Sequence, residues 1–410
     1  MDTRDERRDH GPRLGGDVEP QGEIPGSKTF GAYLRAVREG RRLSLDAVEE
    51  MSQGFPERVT KSHLSRIENG LAYPTFTRLF ALSRIYGVPI ASMAERFDLA
   101  LQREMTPLDL RVRTPLEALE DARKLVTSGR HAEALALLSA VLDERRARAV
   151  EPGEAETLVD LRLWYVDCLL HLGRYECAKA EAEELLGQPG VAPSRRLMTL
   201  EAFVISCYRL GRYTVAIMAL EQAFRDLEKS EAPPKTAADL EAIRGNVLTA
   251  SGRTEEALSA YRRALGLYEA IPHPFEACRI RINIGSALAA SGEREEASRA
   301  LEQALAEAEA AGYDKLRSSA LSALAAAAFE AGDQAAAEAY ALRSNTVARP
   351  REYLSIVFRN CYYLWKIARA RRDEAAVRAN ERTLRAYVGR IEEQMPEVEA
   401  FRAFSSGGEA

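Results

Sequence analysis

Lys61, Ser62, Ser65 and Arg66 share one side of a short helical pattern whose other side carries Leu64 and Ile67. A guanidinium forks onto the O6 and N7 acceptors of guanine, and a hydroxyl pairs with several base edges, so these residue types suit reading a base sequence. Far downstream, Asn246 and Asn283 interrupt two otherwise good helical segments. Asn is a poor helix former and needs a reason there. Its side-chain amide donates and accepts at once, which complements a peptide group; the alternative is a hydrogen bond to a neighbouring helix or to water. Cys168 and His171 stand three residues apart, with Cys177 close by. A fourth metal ligand has no obvious source, and small buried cysteines are ordinary in alanine-rich helix packing, so no metal is expected. Residues 22–29 imitate a phosphate loop, but Ser27 stands where that loop needs Gly before its Lys, and no apolar strand precedes it. No motif places a nucleophile beside a His and an acid. Neither enzyme activity nor a cofactor is expected.

The elements that must position these residues are helices. Phe30, Leu34 and Val37 recur at one face of a first helix with Thr29 as its cap, and Ser44 caps a second that turns Leu45, Val48 and Met51 inward. Thr60 caps the third, which Asn69-Gly70 stops; Thr75 opens a fourth with Leu79, Leu82 and Ile85, closed by Gly87; Pro89 begins a fifth. The five helices over 28–98 make a small, self-sufficient core, preceded by a solvated tail at 1–27. A linker is expected over 99–115, where Pro107 and Pro115 act as breakers.

Beyond it the chain repeats itself. Gly129, Gly173, Gly211, Gly252, Gly292 and Gly332 recur at spacings of 44, 38, 41, 40 and 40, each followed five residues later by Ala134, Ala178, Ala216, Ala257, Ala297 or Ala337. A degenerate seventh unit centres on Arg372-Asp373. A helix, a Gly turn and a second helix with a small residue at the crossing describe a helical hairpin whose partners approach closely. About seven hairpins fill 116–400, and 401–410 reads as a flexible tail. The chain is all-α.

The net charge of −5 is unevenly spread: residues 28–97 carry +4 and the remainder is acidic, a hint of nucleic-acid contact. No stretch approaches the roughly 18 to 20 apolar residues of a membrane span. The amino-terminal 27 residues lack the apolar centre of a secretory signal. Five scattered cysteines without a C-x-x-C pair fit a reducing cytoplasm.

The run HLSRIENGLAYPTFTRLFALSRIYGVP resembles the lambda-repressor/Cro-type (XRE) helix-turn-helix. The repeats, SGRTEEALSAYRRAL with Gly252, Ala257, Tyr261 and Ala264 above all, resemble tetratricopeptide (TPR) units lengthened to about 40 residues. Together they resemble the architecture of Rgg/PlcR-like peptide-sensing transcription regulators. Two residues depart from the helix-turn-helix pattern: Leu45 stands where relatives place a phosphate-clamping Gln, and Glu49 where they place a small residue.

The resemblance implies a five-helix DNA-binding domain ahead of a right-handed superhelical TPR-like array. It puts Lys61, Ser62, Ser65 and Arg66 at base edges in the major groove, with Arg35, Arg38, Asn69 and Thr75 as phosphate contacts that position without reading. His63 packs on the flank. The first helix of each hairpin then lines an inner groove for a peptide or protein ligand, with Tyr208, Arg209, Asn246, Arg279, Asn283, Arg359, Tyr362 and Lys366 facing it, and Tyr363 and Arg369 beside them. The function implied is a cytoplasmic bacterial transcription regulator on the nucleoid, homodimeric through its array and bound to double-stranded DNA. The alternatives are a protein-docking scaffold that the helix-turn-helix delivers to DNA, and a helix-turn-helix used for protein contact.

Overall fold

The computed structural model describes residues 26–105, 114–146, 153–391 and 395–406, and among them it contains helices and turns but no strand. The chain divides into two compact units, 1–107 and 108–410. In the first, α1 (Lys28–Gly40), α2 (Leu45–Met51), a 3-10 turn at Ser52–Gly54, α3 (Lys61–Glu68), α4 (Phe76–Tyr86) and α5 (Ile90–Met105) follow one another. Ser44, Thr60 and Thr75 each accept from the amide three residues on, satisfying a donor that the first helical turn leaves open.

Several boundaries differ from the sequence reading. Ser27, not Thr29, caps α1; its hydroxyl accepts from the Phe30 amide and it is buried, so the ordered domain begins inside the expected tail. Residues 1–25 of that tail lie outside the described residues. Met51 is 49% exposed, because α2 ends there and the next residue, Ser52 of the 3-10 turn, is the one that is buried. The fifth helix continues past 98 to Met105; residues 106–113 of the expected linker lie outside the described residues. Pro115 opens α6 rather than breaking it, inside a capping box formed by Thr114 and Glu117. The first helical position needs no amide donor, so Pro fits there.

Phe30, Leu34, Val48, Leu64, Ile67, Leu82, Tyr86 and Met93 form the core of this unit. Gly31 lets α1 touch α3: a Cβ there would stand 2.3 Å from the Ile67 carbonyl oxygen.

In the second unit the helices pair into seven hairpins: α6 (Pro115–Thr127) with α7 (His131–Arg146), α8 (Ala155–His171) with α9 (Tyr175–Gly187), α10 (Pro193–Arg209) with α11 (Tyr213–Leu227), α12 (Pro234–Ala250) with α13 (Thr254–Ala270), α14 (Pro274–Ser291) with α15 (Arg294–Ala311), α16 (Asp314–Glu330) with α17 (Gln334–Ala348), and α18 (Leu354–Arg371) with α19 (Glu374–Tyr387). All six repeat glycines adopt the left-handed conformation, φ between 70° and 88°. The next amide bonds back five residues each time, as Arg130 does to Leu125 and Arg253 to Leu248, which closes the helix end as in a Schellman turn. In the seventh turn Arg372 takes that conformation at φ 59°, a place that favours Gly. The six alanines after the turns are fully buried at the crossings.

Successive hairpins stack through their first helices, α8 on α10, α10 on α12, α14 on α16 and α16 on α18. The array ends in α20 (Pro396–Ser405), which corrects the expectation of a tail from 401 onward. Phe401 is fully buried, its ring against Trp365 at 5.7 Å and Phe358 at 6.0 Å, because the last hairpin would otherwise leave an apolar face uncovered. Among the described residues no helix is long and apolar enough to cross a membrane.

Candidate nucleic-acid and ligand interfaces

The recognition-type helix α3 is held from behind. Arg38 donates through Nε to Glu68 Oε1 at 2.7 Å and through Nη2 to Oε2 at 2.8 Å, and its Nη1 reaches the Leu43 carbonyl at 2.9 Å. The pair is nearly buried, and the hydrogen bonds from Arg38 to Glu68 keep the guanidinium more firmly protonated than usual. Arg38 therefore leaves the set of phosphate contacts: its donors are spent on the fold, where they fix α1 to the end of α3. Arg35, more exposed, donates to Asn69 Oδ1 at 2.7 Å, while Asn69 Nδ2 returns to the Ser65 carbonyl at 2.7 Å.

On the outer face of α3, Lys61, Ser62, Arg66 and Asn69 are exposed and Ser65 is half-buried. Lys61 Nζ lies 2.8 Å from Asp46, and the Lys61 amide donates to Glu49 at 2.8 Å. Glu49 thus serves as an anion at the positive end of the helix, which gives a reason for an acid where relatives carry a small residue. Arg58 also pairs with Glu49, at 2.8 Å. Glu57 holds Arg78 at 3.0 Å and accepts from the Thr75 hydroxyl. His63 lies 2.9 Å from Arg78; burial, then the positive charges of Arg78 and Arg66, lower its pKa. Among the described residues Arg66 donates to the Leu71 carbonyl, at 3.5 Å. Leu71 and Phe76, 55% and 73% exposed, border this face. Sequence reasoning passed over both, although apolar residues beside a helix-capping Thr were visible.

In the array, the first helices surround a cavity of about 830 Å³. Arg209, Arg279 and Arg359 line it, joined by Lys315 and Arg390, which sequence reasoning missed because they arrive from other repeats. Arg279 pairs with Glu276 at 2.6 Å and Arg359 with Glu397 at 3.1 Å, whereas Arg209 lies over the rings of Tyr175 and Tyr208. Asn246 and Asn283 meet each other instead of standing a repeat apart. Asn283 Nδ2 donates to Asn246 Oδ1 at 3.3 Å, and the Tyr261 hydroxyl donates to the same oxygen at 2.9 Å. Both asparagines are half-buried and outside the lining of the main cavity. Tyr362 and Tyr363 belong to the terminal core rather than the groove: both are 8% exposed, and Tyr362 packs 5.9 Å from Trp365. Lys366 and Arg369 lie over Phe329, Tyr362, Trp365 and Phe404 on the outside of that core.

Cys168 and Cys177 are fully buried, and burial pushes the Cys168 thiol up to about 12. His171 Nδ1 donates to the Asp167 carbonyl at 2.9 Å and its ring stacks on His131 at 4.3 Å. Among the described residues no three His, Cys, Asp or Glu side chains converge as metal ligands.

The model of a helix-turn-helix domain family matches residues 29–95. Comparison with curated proteins gives no match. Among solved structures, a Rap protein complexed with competence and sporulation factor superimposes with a TM-score of 0.53 at 16% identity, covering 70% of this chain and 77% of that one. NprR in complex with its cognate peptide NprX gives 0.50 at 15% identity, covering 69% and 80%. PlcR of Bacillus thuringiensis in complex with the peptide PapR7 and DNA gives 0.40 at 19% identity, covering 71% and 99%. The chain is a helix-turn-helix domain followed by a TPR-like helical array.

Proposed function

We propose that the chain is a sequence-specific, XRE-type transcription regulator that binds double-stranded DNA as a homodimer and senses a peptide through its array. The observation that carries the reading is the outer face of α3, where Ser62 and Arg66 stand exposed on a helix that the Arg38–Glu68 pair fixes from behind. A side chain held on such a scaffold enters the major groove with its register set, and Arg66 is the natural fork onto a guanine. Lys61, Ser62 and Ser65 are the remaining base contacts, and Arg35, Asn69 and Thr75 the phosphate contacts.

The ligand reading draws on the cationic cavity and on two solved relatives of similar fold that hold a peptide or a signalling factor. A homodimer follows from economy of contact: one small module touches few base pairs, and two read half-sites about one helical turn, roughly 34 Å, apart. Such a protein works on the nucleoid, in the bacterial cytoplasm. A docking scaffold is the second reading, favoured by Val215 and Met218, which are 41% and 65% exposed three residues apart on α11.

Selection of bound duplexes from a random pool by the whole protein, with and without a peptide extract of cells, tests this. An inverted-repeat operator whose affinity changes with the extract supports the regulator. An operator whose affinity never changes, beside a stable complex with another protein, supports the scaffold.

A further inference from the structure

Two hollows of the array share a wall. The cavity of about 830 Å³ and an annex of about 300 Å³ have Asp167, Leu170 and Ile205 in common. Each is on the scale that encloses a small ligand, roughly 300–1,000 Å³. Cations outnumber carboxylates around the larger, whereas the charged residues of the annex are both acidic.

In the larger hollow Arg209 comes from α10 and Lys315 from α16. Among the described residues neither has a carboxylate within ion-pair distance; Arg209 rests on the Tyr175 and Tyr208 rings, 5.7 and 6.0 Å from their centres. Several other arginines of the array are neutralised: Arg195 by Asp160, Arg212 by Glu176, Arg263 by Glu241 and Arg281 by Glu307. Cations without a partner carboxylate at one concave surface raise the local concentration of an anion and bind it more strongly than in open water.

The annex is walled by Leu163, Trp164, Met198 and Ala202, and its acidic residues are Glu201 and, on the shared wall, Asp167. Burial first, and then the negative charge of Asp239, push the Glu201 carboxyl up to about 7. The nearest cation is committed elsewhere: Lys235 Nζ lies 2.7 Å from Asp239, which also accepts from the Tyr268 hydroxyl at 2.5 Å. Asp167, on the shared wall, has a pKa raised by burial as well, with His171 3.5 Å away. A desolvated carboxyl beside an indole ring and without a cation is a receptor for an ammonium group, through charge-assisted hydrogen bonds and the ring face.

We propose that the array takes a short linear peptide with both termini free, its carboxylate on Arg209 and Lys315 and its ammonium in the annex against Glu201 and Trp164. The proposal rests on the reading of the array as a peptide sensor and adds to it the chemistry and direction of the ligand. The intervening backbone crosses Leu170 and Ile205, an apolar wall that suits an aliphatic side chain.

The test uses the full chain and three pools of random heptapeptides: one with free termini, one N-acetylated, one C-amidated. Each is incubated with the protein, and the retained peptides are sequenced and their affinities measured by calorimetry. Retention from the free pool, with either cap weakening the retained sequences by about tenfold or more, is the expected result. Glu201→Gln should make acetylation harmless, and Arg209→Gln combined with Lys315→Gln should make amidation harmless, with unchanged circular dichroism. Equal retention from all three pools overturns the assigned polarity and leaves the sensor standing. Retention from none overturns the sensor reading and the proposal with it.

Discussion

Arg38 and Glu68 form a nearly buried, two-pronged ion pair, 2.7 and 2.8 Å, that ties α1 to the last turn of α3. Removing one partner of such a pair leaves the other charged and desolvated, which costs on the order of 3–5 kcal/mol. Arg38→Met should therefore lower the unfolding free energy of the amino-terminal unit by about 3 kcal/mol, whereas Arg38→Met with Glu68→Leu should recover much of the loss. Urea unfolding of the whole protein, followed by hydrogen exchange in α1 and α3, reads the difference. A single variant as stable as the parent contradicts the assignment.

Among the described residues Arg66 makes one long hydrogen bond, to the Leu71 carbonyl, so its truncation should spare the fold. At a cognate operator Arg66→Ala should cost about 1–3 kcal/mol and relax preference at one base pair, while binding to unrelated duplexes changes little. Anisotropy titrations on the operator and its single-base variants measure both effects.

Asn246 and Asn283 share a hydrogen bond and the Tyr261 hydroxyl, so their substitutions should not be additive. Asn246→Ala and Asn283→Ala, singly and together, should show a coupling of about 0.5–1 kcal/mol in urea unfolding. Both lie outside the lining of the main cavity, so the double variant should keep its response to a bound peptide and its basal DNA affinity.

The Glu201 carboxyl is raised from its usual value to about 7 in the folded chain. The native state then binds more protons than the unfolded chain between the two values, and stability falls as pH rises through that window. Glu201→Gln removes the penalty, so its stabilising effect should be larger near pH 7.5 than near pH 4.5. Thermal unfolding at the two pH values checks the sign.

Much of this fold was legible as pattern. The turn glycines and the alanines five residues on announced the hairpins because a left-handed turn and a close crossing each accept few residue types. The caps Ser44, Thr60 and Thr75 were legible for the same local reason. What stayed hidden depends on partners distant in sequence. Arg38 reads as a surface cation until Glu68, thirty residues away, is seen to hold it. Tyr362 reads as groove-lining until α20 folds back and encloses it with Trp365 and Phe401. Lys315 and Glu201 carry no local signal, since their meaning lies in the hollows that different repeats build together.

The central claim is that α3 reads a base sequence. It is tested most directly by the affinity of the full protein for its selected operator against a scrambled duplex of equal length at near-physiological salt, compared between wild type and Arg66→Ala. The account predicts that wild type favours the operator at least a hundredfold and that Arg66→Ala loses roughly ten- to hundredfold on the operator alone. Equal affinity of wild type for both duplexes, or an Arg66→Ala variant that discriminates as well as its parent, would contradict it.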